Sequence, residues 1–334
     1  MDLNGKSILI TGGTGSFGKT LMRHLLDHHN PARIILFARG EYNHYLVQQE
    51  LSQDERNKVR FFIGDVRDPD RLVMAFRGVD VVIHAAAQKQ VPLAEYNPFE
   101  CVRTNIVGAE NIVQAAIRTD VKRVVALSTD KAVNPINLYG ATKLASDKIF
   151  VAANSLGSGT DTRFSVVRYG NVLGSRGSVI PFFRKLLKEG ATEIPVTDPR
   201  MTRFWITLDQ AVAFTMSCLN TMQGGEIFVP KIPSMRITDL VEAMAPGSKT
   251  KIIGIRPGEK LHEIMITEDN ARHTVNMPDR YVIEPEWSFW GRRELVSSDY
   301  PLVEEGFQYS SDLNDDWLSV EKLRAILEDL HIEE

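Results

Sequence analysis

The stretch Ile10-Thr11-Gly12-Gly13-Thr14-Gly15-Ser16-Phe17-Gly18 decides the predicted fold of this chain. It follows the apolar run Ser7–Thr11 and leads into a segment whose leucines have helical spacing. Gly12, Gly15 and Gly18 permit a tight turn, a close approach of backbone to a pyrophosphate, and close packing of helix on strand. The start of the helix would offer free N–H groups and a partial positive charge to phosphate. The stretch therefore predicts a dinucleotide site at the beginning of the chain.

Five further apolar runs of strand length follow the first, and segments with helical spacing separate them. The runs are Arg33–Ala38, Val59–Ile63, Asp80–His84, Lys122–Ser128 and Phe164–Tyr169. Nearly continuous apolar runs are typical of buried strands in a parallel sheet that helices cover on both faces. Strands and helices in alternation predict an α/β fold with a doubly wound parallel sheet of the Rossmann type.

The regular alternation ends at about Tyr169, where loops rich in glycine, proline and serine begin, the first at Gly174–Ser178. We predict one more long helix at Leu208–Met222 and one more strand at Glu226–Val229. The length of 334 residues agrees with two domains, at roughly 150 residues for each domain. The predicted domains are a dinucleotide-binding domain of residues 1–170 plus about 206–232, and a smaller α/β substrate-binding domain of residues 171–205 plus about 233–334.

Composition and charge exclude several classes of protein. Apolar residues make up 43% of the chain and charged residues 25%, as in ordinary globular proteins. The chain has 39 Lys and Arg against 43 Asp and Glu, a net charge of −4, and so lacks the basic excess of a nucleic-acid binder. Cys101 and Cys218 are too few for a disulfide framework or a zinc site. Without a signal peptide or a long apolar run, we expect a cytoplasmic protein with no membrane, metal or nucleic-acid partner.

The end of the second predicted strand bears on the choice between NAD and NADP. An NAD site usually has Asp or Glu there to bind the ribose 2′-hydroxyl group, whereas an arginine can pair with the 2′-phosphate of NADP. This chain has Ala38-Arg39-Gly40 at that point, which favours NADP. Glu41 follows directly and keeps NAD open.

Polar or small residues follow the third and fourth predicted strands. Gly64-Asp65-Val66 follows the third strand, where the carboxylate could accept a hydrogen bond from the adenine amino group. Ala85-Ala86-Ala87 follows the fourth strand, and such small residues let the backbone approach a cofactor. His84 could be catalytic, but at the end of an apolar strand we interpret it as a buried core histidine.

Tyr139 and Lys143 in Tyr139-Gly140-Ala141-Thr142-Lys143 are four residues apart. On a helix this spacing places both side chains on one face. A nearby ammonium group favours the phenolate, so we expect Lys143 to lower the pKa of Tyr139. A tyrosine tuned in this way can take a proton from a substrate hydroxyl group.

Together these features resemble the extended short-chain dehydrogenase/reductase family, whose members act on nucleotide sugars. The resemblance also rests on Asn105, Arg168-Tyr169-Gly170-Asn171-Val172, Thr202-Arg203-Phe204-Trp205-Ile206 and Arg256-Pro257-Gly258-Glu259. The dinucleotide contacts that it implies are Gly12, Thr14, Gly15, Ser16, Phe17, Gly18, Ala38, Arg39, Asp65, Val66, Ala85, Ala86, Ala87, Lys89, Asn105, Tyr139, Lys143 and Tyr169. The substrate contacts that it implies are Lys89, Asn171, Val179, Thr197, Arg203, Arg256 and Glu259, with the two arginines on the diphosphate and Glu259 on the uridine ribose.

One segment narrows the resemblance. Asp130 and Lys131 come directly after the fifth predicted strand, a short distance before Tyr139. This arrangement is similar to that of the inverting UDP-N-acetylglucosamine 4,6-dehydratases, hydro-lyases that begin pseudaminic acid synthesis in bacteria that glycosylate flagellin. It implies UDP-N-acetylglucosamine as substrate, NADP as cofactor, and a homo-oligomer, a hexamer built from dimers. The implied product is UDP-2-acetamido-2,6-dideoxy-β-L-arabino-hex-4-ulose.

The residue types suggest a role for each catalytic candidate. Tyr139 would take the proton of the 4-hydroxyl group as C4 is oxidised, and Thr129 would donate a hydrogen bond to the 4-oxygen. Lys131, with its pKa lowered by neighbouring positive charge, would remove the proton on C5. Asp130 would protonate the departing 6-hydroxyl group, hydride would return to C6, and reprotonation from the opposite face would invert C5.

Other functions remain open on the same residues. A UDP-sugar 4-epimerase or a capsule-type 4,6-dehydratase/5-epimerase would use the same fold, cofactor site and Tyr139/Lys143 pair. A non-catalytic regulator that senses NADP is a third reading, although such proteins commonly lose that pair. A reaction in deuterated water separates a dehydratase from a 4-epimerase. The dehydratase should place deuterium at C5, and the 4-epimerase should not.

Overall fold

The computed structural model describes residues 1–156, 160–175 and 178–329. The predicted loop Gly174–Ser178 includes residues 176 and 177, and the predicted second domain ends in residues 330–334; these residues lie outside the described ranges.

The strands are short, and most of those in the first half match the predicted apolar runs. They are β1 (Ser7–Thr11), β2 (Arg33–Ala38), β3 (Val59–Ile63), β4 (Val81–His84), β5 (Arg123–Thr129), β6 (Arg163–Tyr169), β7 (Asn171–Val172), β8 (Glu193–Val196), β9 (Thr202–Ile206), β10 (Ile227–Pro230), β11 (Ser234–Arg236), β12 (Lys249–Ile252), β13 (Ile264–Ile266), β14 (Thr274–Asn276), β15 (Arg280–Ile283) and β16 (Tyr309–Ser310).

The helices fill most of the connections between the strands. They are α1 (Ser16–His28), α2 (Glu41–Gln49), α3 (Gln53–Lys58), α4 (Pro69–Phe76), α5 (Val91–Tyr96), α6 (Pro98–Val102), α7 (Gly108–Arg118), α8 (Leu138–Leu156), α9 (Val179–Lys188), α10 (Leu208–Thr221), α11 (Ile237–Met244), α12 (Glu268–Ala271) and α13 (Val320–Asp329). A π-helical turn at Arg103–Val107 precedes α7, and a 3-10 turn at Asp130–Ala132 follows β5. Within the described ranges, none of these helices is both long and apolar enough to cross a bilayer.

A nine-stranded sheet forms the centre of the fold, in the order β14-β15-β10-β6-β5-β4-β1-β2-β3. The strands from β3 to β10 in that order are parallel, whereas β15 and β14 add antiparallel pairs at one edge. The order 3-2-1-4-5-6 is that of the doubly wound Rossmann fold, so the predicted fold class is confirmed. Parallel strands β1 and β4 diverge into crossovers on opposite faces, which opens a crevice beyond their carboxyl ends.

A second apolar core lies beside the large sheet. Its buried side chains include Leu173, Trp205 and Met235, and it is built by α9, α11 and α13 together with strands β8, β9 and β11. The pair β12-β8 and the pair β13-β16 complete the smaller sheets.

Two sequence-based expectations need correction. The run Val59–Ile63 was expected to be a buried strand, but β3 forms an edge of the large sheet and only Val59 in it is buried. An edge strand has a neighbour on one side alone, so its apolar residues are only partly covered. Residues 274–283 fall in the range predicted for the second domain, but β14 and β15 pair with the large sheet.

Candidate active site

A cavity of about 720 Å³ lies beyond the carboxyl ends of the central parallel strands. Ligands of open α/β sheets bind at this place, where the strand order reverses. The residues at or just after the ends of β1, β2, β3, β4, β5 and β6 all line it. The segments predicted to bind a dinucleotide and those predicted to act in catalysis therefore line the same cavity.

The glycine turn after β1 is shaped by the backbone that faces it. Gly12 has a φ of +68°, and a Cβ atom there would lie 2.9 Å from the backbone nitrogen of Ala86. A Cβ atom on Gly18 would lie 2.6 Å from the Cα atom of Gly13. Both positions therefore require glycine, the first for its left-handed conformation and the second for close packing of α1 on the turn.

The N terminus of α1 lines the cavity through Gly15, Ser16 and Phe17. The residue before the helix is Gly15, which provides no side-chain cap. Free N–H groups and the helix dipole make such a terminus a site for phosphate. With the cavity volume and the glycine turn, these features fit a dinucleotide pyrophosphate.

Arg39 and Asp65, which follow β2 and β3, line the same cavity. The Arg39 side chain is 58% exposed, and its Nη1 atom lies 3.9 Å from Asp65 Oδ2. The side chain of Arg67 also pairs with Asp65, at 2.7 Å between Nη2 and Oδ2. Although burial opposes the charge, bonds from Arg67 and the charge of Arg39 hold the pKa of the Asp65 carboxyl group below its usual range. Arg39 keeps most of its surface free to meet an anion.

Helix α8, which carries Tyr139 and Lys143, packs tightly on the turn that follows β5. A Cβ atom on Gly140 would lie 2.1 Å from the carbonyl oxygen of Lys131, so only glycine allows this contact. The contact places Lys131 beside Tyr139, and both side chains line the cavity together with Thr129 and Lys143. The predicted constellation is therefore gathered at one point.

The expected effect of Lys143 on Tyr139 is corrected by the structure. Burial raises the pKa of Tyr139 to about 12, while the ammonium group of Lys131 acts in the opposite direction. Lys143 donates instead to the carbonyl oxygen of Leu127 at 2.8 Å, and burial lowers the pKa of its own ammonium group. The cation that acts most on the pKa of Tyr139 is thus Lys131. The helical spacing in the sequence indicated Lys143 instead.

The expected pKa of Lys131 is corrected as well. Its Nζ atom lies 3.0 Å from Asp130 Oδ1 and 3.4 Å from Glu263 Oε1. Burial disfavours the ammonium form, but these two carboxylates outweigh it and raise the pKa of Lys131 above its usual value. Sequence inspection expected a lowered pKa because it could not foresee Glu263.

Asp130 is fully buried and does not line the cavity directly. Its Oδ1 atom accepts hydrogen bonds from the Thr129 hydroxyl group at 2.9 Å and from Lys131 Nζ at 3.0 Å. Its Oδ2 atom has no hydrogen-bond partner among the described residues. One hydrogen-bonding position of this buried carboxyl group is therefore open.

Two polar residues near the cavity have structural roles. The Asn105 amide bonds to both backbone groups of Gln88 at 2.9 Å and to the Thr142 hydroxyl group at 3.0 Å. It therefore braces the loop after β4 against α8 and does not line the cavity, and its cofactor contact stays a prediction. His84 is confirmed as a core histidine, since Thr11 Oγ1 lies 2.8 Å from its Nδ1 atom and burial lowers its pKa to about 3.

The predicted substrate contacts divide into two groups. Lys89 and Asn171 line the cavity, whereas the other five do not. Arg203 is buried, and it donates to the carbonyl oxygen atoms of Leu261 at 3.1 Å and Lys260 at 2.9 Å. Arg203 thus holds this loop in the structure, and its contact with a diphosphate stays a prediction.

The turn that carries Arg256 and Glu259 lies beside the start of α8. The carbonyl oxygen of Gly258 accepts a hydrogen bond of 2.8 Å from Asn137 Nδ2, one residue before α8. Arg256 is exposed, with its Nη1 atom 3.7 Å from Glu259 Oε1. Val179 begins α9, and Thr197 bonds to the sulfur atom of Met201 at 3.2 Å.

Several residues of the cavity were not identified from the sequence. They are Phe37, Gly40, Asn43, Gln90, Thr104, Leu127, Ser128, Ser175, Ser178 and Leu208. Phe37, Leu127 and Ser128 could have been found, because each lies one or two places before the end of a strand that points at the site. Ser175, Ser178 and Leu208 come from the second half of the chain, and no local pattern indicates their approach.

Comparison with known proteins agrees with this geometry. The family described as "Polysaccharide biosynthesis protein" matches residues 8–285. The chain is 54% identical over 334 residues to the inverting UDP-N-acetylglucosamine 4,6-dehydratase of Campylobacter jejuni subsp. jejuni strain 81-176, covering 97% of this chain and 98% of the relative. Pen from Bacillus thuringiensis is similar in structure, with a TM-score of 0.89, 38% identity and coverage of 100% of both chains. DesIV, a dTDP-glucose 4,6-dehydratase from Streptomyces venezuelae with NAD and TYD bound, has a TM-score of 0.67 and 26% identity over 76% of this chain and 86% of that chain.

Proposed function

Since the chain belongs to the polysaccharide biosynthesis protein family, within the extended short-chain dehydrogenases/reductases, we propose that it is a UDP-N-acetylglucosamine 4,6-dehydratase that inverts C5. One observation carries the proposal: Thr129, Lys131 and Tyr139 meet at the mouth of a cavity that fits a dinucleotide. The similarity to the Campylobacter jejuni enzyme supports the choice of substrate.

The cofactor of the proposed reaction is a nicotinamide dinucleotide, for which we favour NADP. When bound, it would supply a reversible acceptor of hydride, so the overall reaction consumes no reductant. The glycine turn and the N terminus of α1 would hold its pyrophosphate, and Lys143 its nicotinamide ribose. Arg39 would pair with the 2′-phosphate group. Glu41 lies two residues further on, so the choice between NADP and NAD needs a direct test.

Replacing Arg39 by alanine should lower the affinity for NADP about tenfold, because one charge-assisted hydrogen bond is lost. The affinity for NAD should hardly change, since NAD carries no 2′-phosphate. Titration calorimetry with each dinucleotide measures both effects, with Arg118→Ala, an exposed change at the end of α7, as the matched control. An affinity for NAD equal to that for NADP in the unmodified protein would refute the NADP assignment.

The pair Asp130 and Lys131 can provide both an acid and a base. Lys131 must lose a proton before it can remove the proton on C5, and Asp130 must gain one before it can protonate the departing 6-hydroxyl group. Transfer of a single proton along their 3.0 Å hydrogen bond meets both needs at once. The unpartnered Oδ2 atom of Asp130 is the free position on that carboxyl group.

Tyr139 acts at C4 in this proposal. Its phenol would take the proton of the 4-hydroxyl group. The hydroxyl group of Thr129, which donates to Asp130 in the structure, would turn to donate to the 4-oxygen. The positive charge of Lys131 favours the phenolate, whereas burial opposes it. Arg256 and Glu259 remain proposed contacts for the diphosphate and the uridine ribose.

The proposed product is UDP-2-acetamido-2,6-dideoxy-β-L-arabino-hex-4-ulose, the first intermediate of pseudaminic acid synthesis. The enzyme would be a cytoplasmic hydro-lyase that works as a homo-oligomer, a hexamer by resemblance. Sedimentation that gives a monomer at working concentrations would contradict the last point.

Incubation with UDP-N-acetylglucosamine and catalytic NADP tests the proposed function. We expect a 6-deoxy-4-keto sugar nucleotide in the NMR spectrum, without net reduction of NADP. Formation of the 4-epimer alone would assign the chain to the epimerases. Binding of NADP without any turnover, joined to altered association with a protein partner, would support a regulator.

A further inference from the structure

Glu263 is a buried carboxylate that faces the catalytic turn from the second half of the chain. It is 2% exposed and lies one residue before β13. Its position is fixed by the backbone, since its N–H donates to Ser311 Oγ at 2.9 Å and its carbonyl oxygen accepts from the Ser311 N–H at 2.8 Å. These two bonds fix the backbone of Glu263 independently of Lys131, so its carboxylate is anchored to a segment that the turn after β5 does not control.

Three cations converge on this carboxylate. Lys131 Nζ lies 3.4 Å from Oε1, Lys260 Nζ lies 3.6 Å from Oε2, and Arg203 Nε lies 3.8 Å from Oε1. Each of the other two cations has its own anchor: Lys260 donates to the Val133 carbonyl oxygen at 2.5 Å, and Arg203 donates to the carbonyl oxygen atoms before Glu263. Lys131 alone among the three lines the cofactor cavity.

Lys131 is thus gripped from two sides. Asp130 Oδ1 holds its Nζ atom at 3.0 Å from the turn after β5, and Glu263 Oε1 holds it at 3.4 Å from the segment before β13. A long flexible side chain held at two points loses the freedom to swing away from the cavity. A single carboxylate on the neighbouring residue would leave that freedom in place.

From this geometry we propose that Glu263 is a positioning residue, which fixes the ammonium group of Lys131 between Asp130 and the cavity and sets how readily it releases its proton. The expected change in kcat rests on the proposed function, whereas the expected change in the pKa of Lys131 does not. The raised pKa of Lys131 agrees with it.

The charged groups around Lys131 define what a change at Glu263 must do. Asp130 and Glu263 favour the ammonium form, whereas Arg203 disfavours it. The positive charge of Lys131 in turn adds to the lowering that burial imposes on the pKa of Lys89 and Lys260, and it opposes the rise that burial imposes on the pKa of Tyr139. Removing one negative charge at 3.4 Å leaves the cations unbalanced and lowers the pKa of Lys131.

The test compares Glu263→Gln with Glu263→Asp. Glutamine keeps the size and removes the charge, so the pKa of Lys131 should fall by about 1 to 2 units. Aspartate keeps the charge on a shorter side chain and should restore part of the shift. Competitive acetylation of lysines across a pH series, read by mass spectrometry at the Lys131 peptide, measures the shift without any turnover.

Kinetics give the second readout. In Glu263→Gln we expect kcat to fall about tenfold with KM little changed, because Lys131 loses one of the two contacts that hold it at the cavity. The lower pKa of Lys131 should separately move the acid limb of the kcat profile to lower pH by about 1 unit. Glu226→Gln is the matched control: Glu226 is also fully buried and paired with an arginine, but it lies at the amino end of β10, away from the cavity. It should lower stability and leave both pH profiles in place.

The outcomes separate this proposal from the proposed function. Lys131 acetylation that follows the same pH curve in the unmodified protein and in Glu263→Gln overturns the positioning role, whatever the enzyme makes. A normal shift of that curve with no dehydration of UDP-N-acetylglucosamine by the unmodified protein would keep the positioning role and refute the function. A loss of stability equal to that of Glu226→Gln, with no shift, assigns Glu263 a purely structural role.

Discussion

Lys131→Ala should lower the kcat of dehydration by about 10³-fold, within the range found for the loss of a positioned acid or base. The mutation removes the group proposed to take the proton on C5 and also the partner of Asp130, so both members of the acid–base pair fail together. The affinity for NADP should stay within about twofold, because the glycine turn and α1 remain intact.

Product formation by NMR and dinucleotide affinity by calorimetry measure the two sides of this prediction. Lys148→Ala provides the control, since Lys148 is an exposed lysine of α8. Normal formation of the 6-deoxy-4-keto product by Lys131→Ala would show that Lys131 is not the base. Loss of NADP affinity together with activity would point instead to a collapsed cavity.

Tyr139→Phe should abolish oxidation at C4, again by about 10³-fold or more. Only a hydroxyl group is lost, and the aromatic ring keeps its packing against Ala94 and Cys101. Because oxidation at C4 precedes the loss of water, no later step can proceed, and neither a 4-keto sugar nor reduced cofactor should accumulate.

A single-turnover experiment reads this directly through the absorbance of the reduced nicotinamide. Tyr96→Phe is the control, because Tyr96 is 85% exposed at the end of α5. Reduced cofactor that appears in Tyr139→Phe at the normal rate would mean that another group takes the 4-hydroxyl proton. This result would also remove the chemical reason for placing Lys131 beside the phenol.

Much of the fold could be predicted from local sequence. The glycine stretch and the apolar runs predict β1 to β6. This is possible because buried strands and amphipathic helices each have a characteristic pattern of apolar residues in the sequence. The strands of the second half could not be placed in this way. β14 and β15 are three and four residues long; β14 pairs with β15, and β15 joins the large sheet through β10, which lies far from it in the sequence.

The site could be predicted where its residues follow strands. Thr129 ends β5, and the turn after it carries Asp130 and Lys131, so topology alone brings them to the cavity. The pKa values could not be predicted, because they depend on long-range neighbours. Glu263 lies 3.4 Å from Lys131 in space, and no spacing in the sequence relates the two.

Arg203 shows the same limit from the other side. Its residue type suits a diphosphate, and only the structure reveals that its N–H groups already donate to the carbonyl oxygen atoms of Lys260 and Leu261. Gly140 lies between Tyr139 and Lys143, and the sequence gives no reason for a glycine there. The structure supplies the reason, because a residue without a Cβ atom lets the turn at Lys131 pack on α8.

The most direct test of the account is the reaction of UDP-N-acetylglucosamine with the unmodified protein in deuterated water. Removal and return of the proton at C5 predicts deuterium at C5, a methyl group at C6 and the L-arabino configuration of the 4-keto product, all visible by NMR. A product with hydrogen retained at C5 and the 6-hydroxyl group intact would contradict the central claim and indicate a 4-epimerase.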